Sequence, residues 1–196
     1  MKLDVVISGV GGQGSILASR ALAGAAMANG LNVLTSEVIG MAQREGPVTS
    51  HIRIGNDLCG ALIPDHEADF LIGLELSETV RSLGKLKPGG TVITSEMAII
   101  PVSVQLGLSK YDRETYKRHI REQVKKAVFL DLETLSHLAG NPRAGNVIIM
   151  GAFSTCPGLP LQPEQLLRSF LQLVPEKYKD INAHAFEIGR RAMEAS

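Results

Sequence analysis

Apolar positions fall into short β-branched runs and longer Ala- and Leu-rich stretches that alternate along the first half of the chain. Residues 3–8 read as a strand and run directly into the glycine-rich turn Gly9-Val10-Gly11-Gly12-Gln13-Gly14. Residues 15–29 carry strong helix formers and close on Gly30, and residues 32–36 follow as a second short strand. Strand, glycine turn, helix and strand together have the length of a βαβ unit with a parallel strand pair.

The period then breaks. Residues 37–47 place charge inside an apolar frame without periodicity, as a functional loop does. Residues 48–55 alternate, with Val48, Ser50, Ile52 and Ile54 on one face and Thr49, His51 and Arg53 on the other, which predicts a half-exposed strand. A turn at 55–57 and a second apolar run at 58–63 predict a β-hairpin. Residues 69–76 suit a buried strand, and 77–83 a short helix capped by Ser77. Residues 87–90 read as a turn into a strand at 91–94. Residues 112–126 form an amphipathic helix with a narrow stripe at Tyr116, Ile120 and Val124, followed by a strand at 127–132. Beyond it, helices are predicted over 133–139, 143–153, 163–174 and 179–195. The expected fold is α/β: a Rossmann-like open, mostly parallel sheet with a β-hairpin insertion and a helical C-terminal part, in one domain spanning residues 1–196.

Composition narrows the functional classes. The 196 residues carry 20 Lys and Arg against 20 Asp and Glu, so no overall field attracts nucleic acid or an anionic membrane. An apolar fraction of 44% is incompatible with disorder. Two cysteines, Cys59 and Cys156, supply neither a C-x-x-C pair nor the four thiolates of an iron–sulfur cluster, and both read as reduced thiols. Asp4 interrupts any export signal, and Arg20 interrupts the Ala-rich stretch, so the expectation is a soluble cytoplasmic protein.

Several constellations could carry chemistry. Gly9, Gly11 and Gly14 satisfy G-x-G-x-x-G between a strand and a helix, with Glu37 near the end of the second strand, where a dinucleotide ribose is bound in Rossmann folds. Backbone amides at a helix N-terminus favour a phosphate; alternatively the glycines serve only a tight turn and close packing, continued by Ala18, Ala21 and Ala25. Glu37, Gln43, Arg44 and Glu45 cluster in the loop after the second strand. Arg44 suits two-pronged contact with a carboxylate or phosphate, or a salt bridge to a nearby acid.

Ser50 and His51 cannot form a catalytic pair if they sit on opposite faces of one strand, and there is no G-x-S-x-G. His51 and Arg53 remain as ligand or subunit contacts, or as a plain surface pair. Asp65, His66, Glu67 and Asp69 lack a recognisable metal-ligand spacing. Arg113, Lys117, Arg121 and Lys125 form a basic ridge, read as a solvated face, with an acidic partner or nucleotide phosphates as the alternative. His119, His137 and His184 stand isolated.

Taken together, residues 8–14, Ala18-Ser19-Arg20, residues 36–44, residues 48–55 and residues 182–189 resemble the small subunit of 2-oxoacid:ferredoxin oxidoreductases, with the strongest likeness to the beta subunit of the indolepyruvate enzyme. The resemblance spans nearly the whole chain. It implies oxidative decarboxylation of a 2-oxoacid on thiamine diphosphate, with electrons passing through iron–sulfur clusters to ferredoxin and the acyl group to coenzyme A. No thiamine-binding motif or cysteine array is present, so thiamine diphosphate, Mg and the 4Fe-4S clusters are assigned to a large partner subunit of a hetero-oligomer. For this chain the resemblance leaves Glu37, Gln43 and Arg44 as an active-site wall, and Gly9, Gly11, Gly12, Gln13 and Gly14 as a cradle for a phosphate of coenzyme A. The chain departs from the family pattern at Glu45-Gly46-Pro47, where two glycines and a small residue are usual. A free-standing Rossmann-type NAD-binding or regulatory module is the alternative; it explains the glycines and Glu37 but leaves residues 41–53 unexplained.

Overall fold

The computed structural model describes residues 1–41, 46–100, 104, 106–108 and 110–194. Six strands form one sheet: β1 (Lys2–Val10), β2 (Val33–Ile39), β3 (Pro47–Gly55), β4 (Ala68–Gly73), β5 (Leu86–Ser95) and β6 (Lys126–Leu130). Their order across the sheet is β2-β3-β1-β4-β5-β6. Seven α-helices occur among the described residues: α1 (Ser15–Ala28), α2 (Leu76–Ser82), α3 (Arg113–Gln123), α4 (Leu132–Leu138), α5 (Gly145–Phe153), α6 (Pro163–Gln172) and α7 (Lys179–Glu194).

The alternation of side chains along each strand sorts the core into two layers. Val5, Ile7, Ile52, Ile54, Ile72 and Ile93 face α1 and the C-terminal helices. Val6, Leu71 and Val92 face the other way, onto Leu76 of α2 and Ile120 of α3. Covering both faces explains why the central strands read as nearly continuous apolar runs. The stripe predicted on α3 is real: Ile120 and Val124 are buried and Tyr116 packs against them. Its basic ridge is only partly solvated, since Lys117 pairs with Glu96 at 2.8 Å and Arg121 lies over the Phe129 ring, 4.8 Å from its centroid. No described helix is long and apolar enough to cross a membrane.

Four expectations are corrected. First, β1 and β2 are not a neighbouring parallel pair. β3 lies between them and pairs antiparallel with both. The βαβ direction survives, because two antiparallel steps restore it. Second, the hairpin is β2–β3, joined by the loop whose described ends are Gly40 and Gly46; residues 58–63 form no strand. The Gly40 N–H donates to the Pro47 carbonyl at 2.8 Å and closes that loop. Third, residues 87–90 belong to β5, where the pairing with β4 shifts register, rather than to a separate turn.

Fourth, β3 is buried on both faces from Ser50 to Gly55. The irregular segment 58–67 covers the face that alternation left to solvent. It is held there by Arg53, which donates to the Cys59 and Gly60 carbonyls at 3.0 and 3.1 Å. Arg53 also donates to both oxygens of the buried Asp4, at 2.9 and 3.2 Å. The fork geometry of guanidinium and carboxylate satisfies two buried charges at once. His51 beside it is also buried, and its Nδ1 accepts the Ile63 N–H at 3.3 Å. His51 and Arg53 therefore build the fold rather than line a surface.

Candidate functional site

The carboxyl ends of β1, β4 and β5 meet where an open α/β sheet binds ligands. β1 ends in the glycine loop. Gly12 and Gly14 have φ of 96° and 83°, the left-handed region in which a side chain is strained. Gly14 caps α1 without a side-chain bond, so the first amides of that helix stay available, with the positive end of its dipole behind them. A Cβ on Gly9 would stand 2.8 Å from Gln13 Oε1 and 3.0 Å from Leu74 Cβ, so this glycine permits the strand to pass close to the exit of β4.

Gln13 holds the loop shut from within. Its Oε1 accepts the Val10 N–H at 2.8 Å, and its Nε2 donates to the Leu74 carbonyl at 3.2 Å. The side chain is thus committed to the loop, leaving Gly12 as the open position, while Gly14 packs against Asn146. On the far side, the Gly11 N–H donates to the Gly46 carbonyl at 2.9 Å and fastens the β2–β3 loop to the glycine loop. Gln43 and Arg44 lie in that loop but outside the described residues.

Two clefts flank the loop. One, of about 350 Å³, is lined by Gly11, Gly12, Gly14, the first turn of α1 and Arg20, on the side of the fastened loop. Arg20 is exposed and, among the described residues, unpaired. It is a functional candidate that spacing alone did not single out, although a cation on the second turn after a glycine loop is a legible cue. The other, of about 160 Å³, lies between the loop, α4 and the start of α5. Its residues come from positions more than a hundred apart in sequence, which no local pattern could connect.

Glu37 is exposed on β2 at the row of Ser50, with β3 between it and β1. At strand spacings near 4.8 Å it stands about 10 Å from the β1 axis. In a dinucleotide fold the acid is on the strand beside the glycine loop, so the NAD arrangement loses its second part.

Glu75, which sequence reasoning passed over, is a buried carboxylate just past β4. It caps α2 by accepting the Glu78 N–H at 2.8 Å, in place of the predicted Ser77, whose hydroxyl instead donates to Glu75 at 2.6 Å. It also accepts the Ile99 N–H at 3.2 Å and the Tyr111 hydroxyl at 3.3 Å, so it ties the chain after β5 to the rim of the site. Burial, then the Glu75 charge, pushes the Tyr111 phenol above its ordinary range, and it stays a donor. Burial likewise raises the Glu78 carboxyl.

The chain matches a family model described as pyruvate ferredoxin/flavodoxin oxidoreductase over residues 4–192. The chain belongs to this family. Among its relatives, an indolepyruvate oxidoreductase subunit IorB from Thermococcus kodakarensis is 40% identical over 191 residues, 96% of this chain and 95% of that protein. The common gamma subunit of the pyruvate/ketoisovalerate oxidoreductases of Pyrococcus furiosus is 28% identical over 160 residues, 80% of this chain and 79% of that protein. The fold is that of the keto/oxoacid ferredoxin oxidoreductase gamma subunit from Geobacter sulfurreducens, with a TM-score of 0.73 at 22% identity over 99% of both chains. It also matches 31% of the 2-oxoglutarate:ferredoxin oxidoreductase of Magnetococcus marinus, a structure with 2-oxoglutarate, coenzyme A and succinyl-CoA bound, with a TM-score of 0.75 at 18% identity. The same fold thus occurs both as a separate chain and as part of a longer one.

Proposed function

We propose that the protein is the small subunit of a 2-oxoacid:ferredoxin oxidoreductase of the indolepyruvate type, inactive alone and working in the cytoplasm as part of a hetero-oligomer. The observation that carries this reading is the 40% identity to an indolepyruvate oxidoreductase subunit over nearly the full length of both chains. Thiamine diphosphate, its Mg ion and the 4Fe-4S clusters belong to the large partner subunit. This chain's residues do not fit them: its two cysteines cannot supply a four-thiolate site, and Cys156 is buried with its thiol pushed up to about 11. Among the described residues no three His, Cys, Asp or Glu side chains gather as a metal site.

What this chain contributes is a wall and an anion cradle. The amides of Gly12 and Gly14, the positive end of α1 and Arg20 converge on the larger cleft, which suits a phosphate of coenzyme A. Arg44, in the loop anchored at Gly46, supplies the two-pronged contact, with Gln43 beside it; Glu37 lies farther out along β2. A charge-assisted hydrogen bond contributes about 1.5 to 3 kcal/mol, so Arg44→Ala lowers kcat/KM for coenzyme A roughly ten- to a hundredfold. Arg44→Lys, which keeps charge but loses the fork, falls between. The measurement is kcat/KM of the reconstituted enzyme against small-subunit concentration. Full recovery of the alanine variant by excess small subunit would move Arg44 from ligand contact to assembly.

A further inference from the structure

The smaller cleft holds a feature that the coenzyme A cradle does not use. Ser136 on α4 is 2% exposed, and its hydroxyl has no hydrogen-bond partner. A buried hydroxyl left unpaired is costly unless something else satisfies it. Ser136 lines this cleft, 3.9 Å from where a Cβ on Gly145 would stand. Gly145 and Asn146 open α5, whose N-cap is Ala144, a residue with no side-chain oxygen to cap the helix. The Val147 N–H turns back to the Ala144 carbonyl at 2.9 Å, which leaves the Gly145 and Asn146 amides for this space, at the positive end of a nine-residue helix. Arg143 stands at the mouth, exposed, with no side-chain partner among the described residues. Between these polar groups the walls are apolar, from Leu74, Met97, Leu132 and Pro142.

We propose that this cleft binds a small organic acid of the 2-oxoacid class, its carboxylate on Arg143 and the α5 amides, its keto oxygen on Ser136 and its apolar body along Leu74 and Leu132. A volume of about 160 Å³ holds the equivalent of roughly five waters, which suits a small acid and not a nucleotide. One cation, not several, matches a monoanion better than a diphosphate. The site lies across the glycine loop from the coenzyme A cradle. It rests on the proposed function only for the identity of the acid.

The test is titration of the isotopically labelled full chain with pyruvate, followed by amide NMR. Saturable shifts are expected at Ser136, Gly145 and Asn146. Arg143→Gln should weaken binding at least tenfold and Ser136→Ala several-fold. Ser136→Ala should nonetheless melt no lower than wild type without ligand, because it removes an unsatisfied hydroxyl. Gly145→Ala narrows the slot and should also weaken binding at least tenfold. Its Cβ would approach Leu132 no closer than 3.5 Å, so the fold is kept. Absence of saturable shifts, shifts indifferent to Arg143→Gln and Gly145→Ala, or equal shifts from inorganic phosphate or coenzyme A would each overturn the proposal. Binding is read on the chain alone. An active reconstituted enzyme whose small subunit shows no shifts refutes this inference and leaves the proposed function standing; clear shifts with no reconstituted activity do the reverse.

Discussion

His51 shows how a single side chain can be legible in position and not in role. Alternation placed it correctly opposite Ser50, which ruled out a catalytic pair, yet nothing local revealed that residues 58–67 fold over it. Burial, with the Lys85 and Arg53 charges, lowers its pKa below the ordinary 6.5, and its Nδ1 must stay unprotonated to accept the Ile63 N–H. The folded state thus binds the proton more weakly than the unfolded chain. The corresponding stability is present above about pH 6.5 and is lost as pH falls from there towards the folded pKa. Urea midpoints measured from pH 8 to 5 should fall, and His51→Gln, which can still accept that N–H without titrating, should flatten the profile; parallel profiles would contradict this. Arg53 and Asp4 make a second residue-scale case. Arg53→Met takes the two-pronged partner from the buried Asp4 carboxylate, leaving it only the half-exposed Lys2 ammonium at 3.1 Å, and should cost about 3 kcal/mol, whereas Asp4→Leu combined with Arg53→Met should recover part of that loss. Strictly additive losses in denaturant titrations would show that the pair is not coupled.

Among the elements, the strand–glycine loop–helix unit was readable because its signals are local: a β-branched run, the glycines and an alanine-rich helix whose Ala18, Ala21 and Ala25 are indeed buried against the sheet. Pairing was not readable. Which strand lies beside β1 depends on where β3 inserts, a long-range choice that alternation does not encode, and so the local pattern pairs 48–55 with 58–63 instead of with β2. The two left-handed glycines of the loop should separate strain from crowding. At Gly12 a Cβ meets nothing within 4 Å, so Gly12→Ala should cost only the backbone strain, about 1 to 2 kcal/mol. At Gly14 the added Cβ would overlap the Asn146 amide, and the loss should be larger by about 1 to 3 kcal/mol. Asn146→Ala in that background should relieve the excess, giving a non-additive cycle in chemical denaturation; equal costs at the two glycines would refute the difference.

Across the whole molecule, the family was legible because its blocks span most of the chain, and the family match over residues 4–192 agrees with that reach. The smaller cleft was not: its walls join Gly12 to Asn146 and Leu74 to Pro142, distances along the chain that only the folded sheet closes, whereas the larger one is built mainly from the glycine loop and the first turns of α1. In the proposed function this molecule is a necessary part of a larger enzyme, one that frames an active site without holding its cofactors. Indolepyruvate-dependent ferredoxin reduction, followed while purified small subunit is titrated into purified large subunit, tests that most directly. Neither subunit alone should show turnover, and activity should rise with added small subunit to a plateau at a fixed ratio. Turnover by the small subunit alone, or full activity of the large subunit without it, would contradict the account.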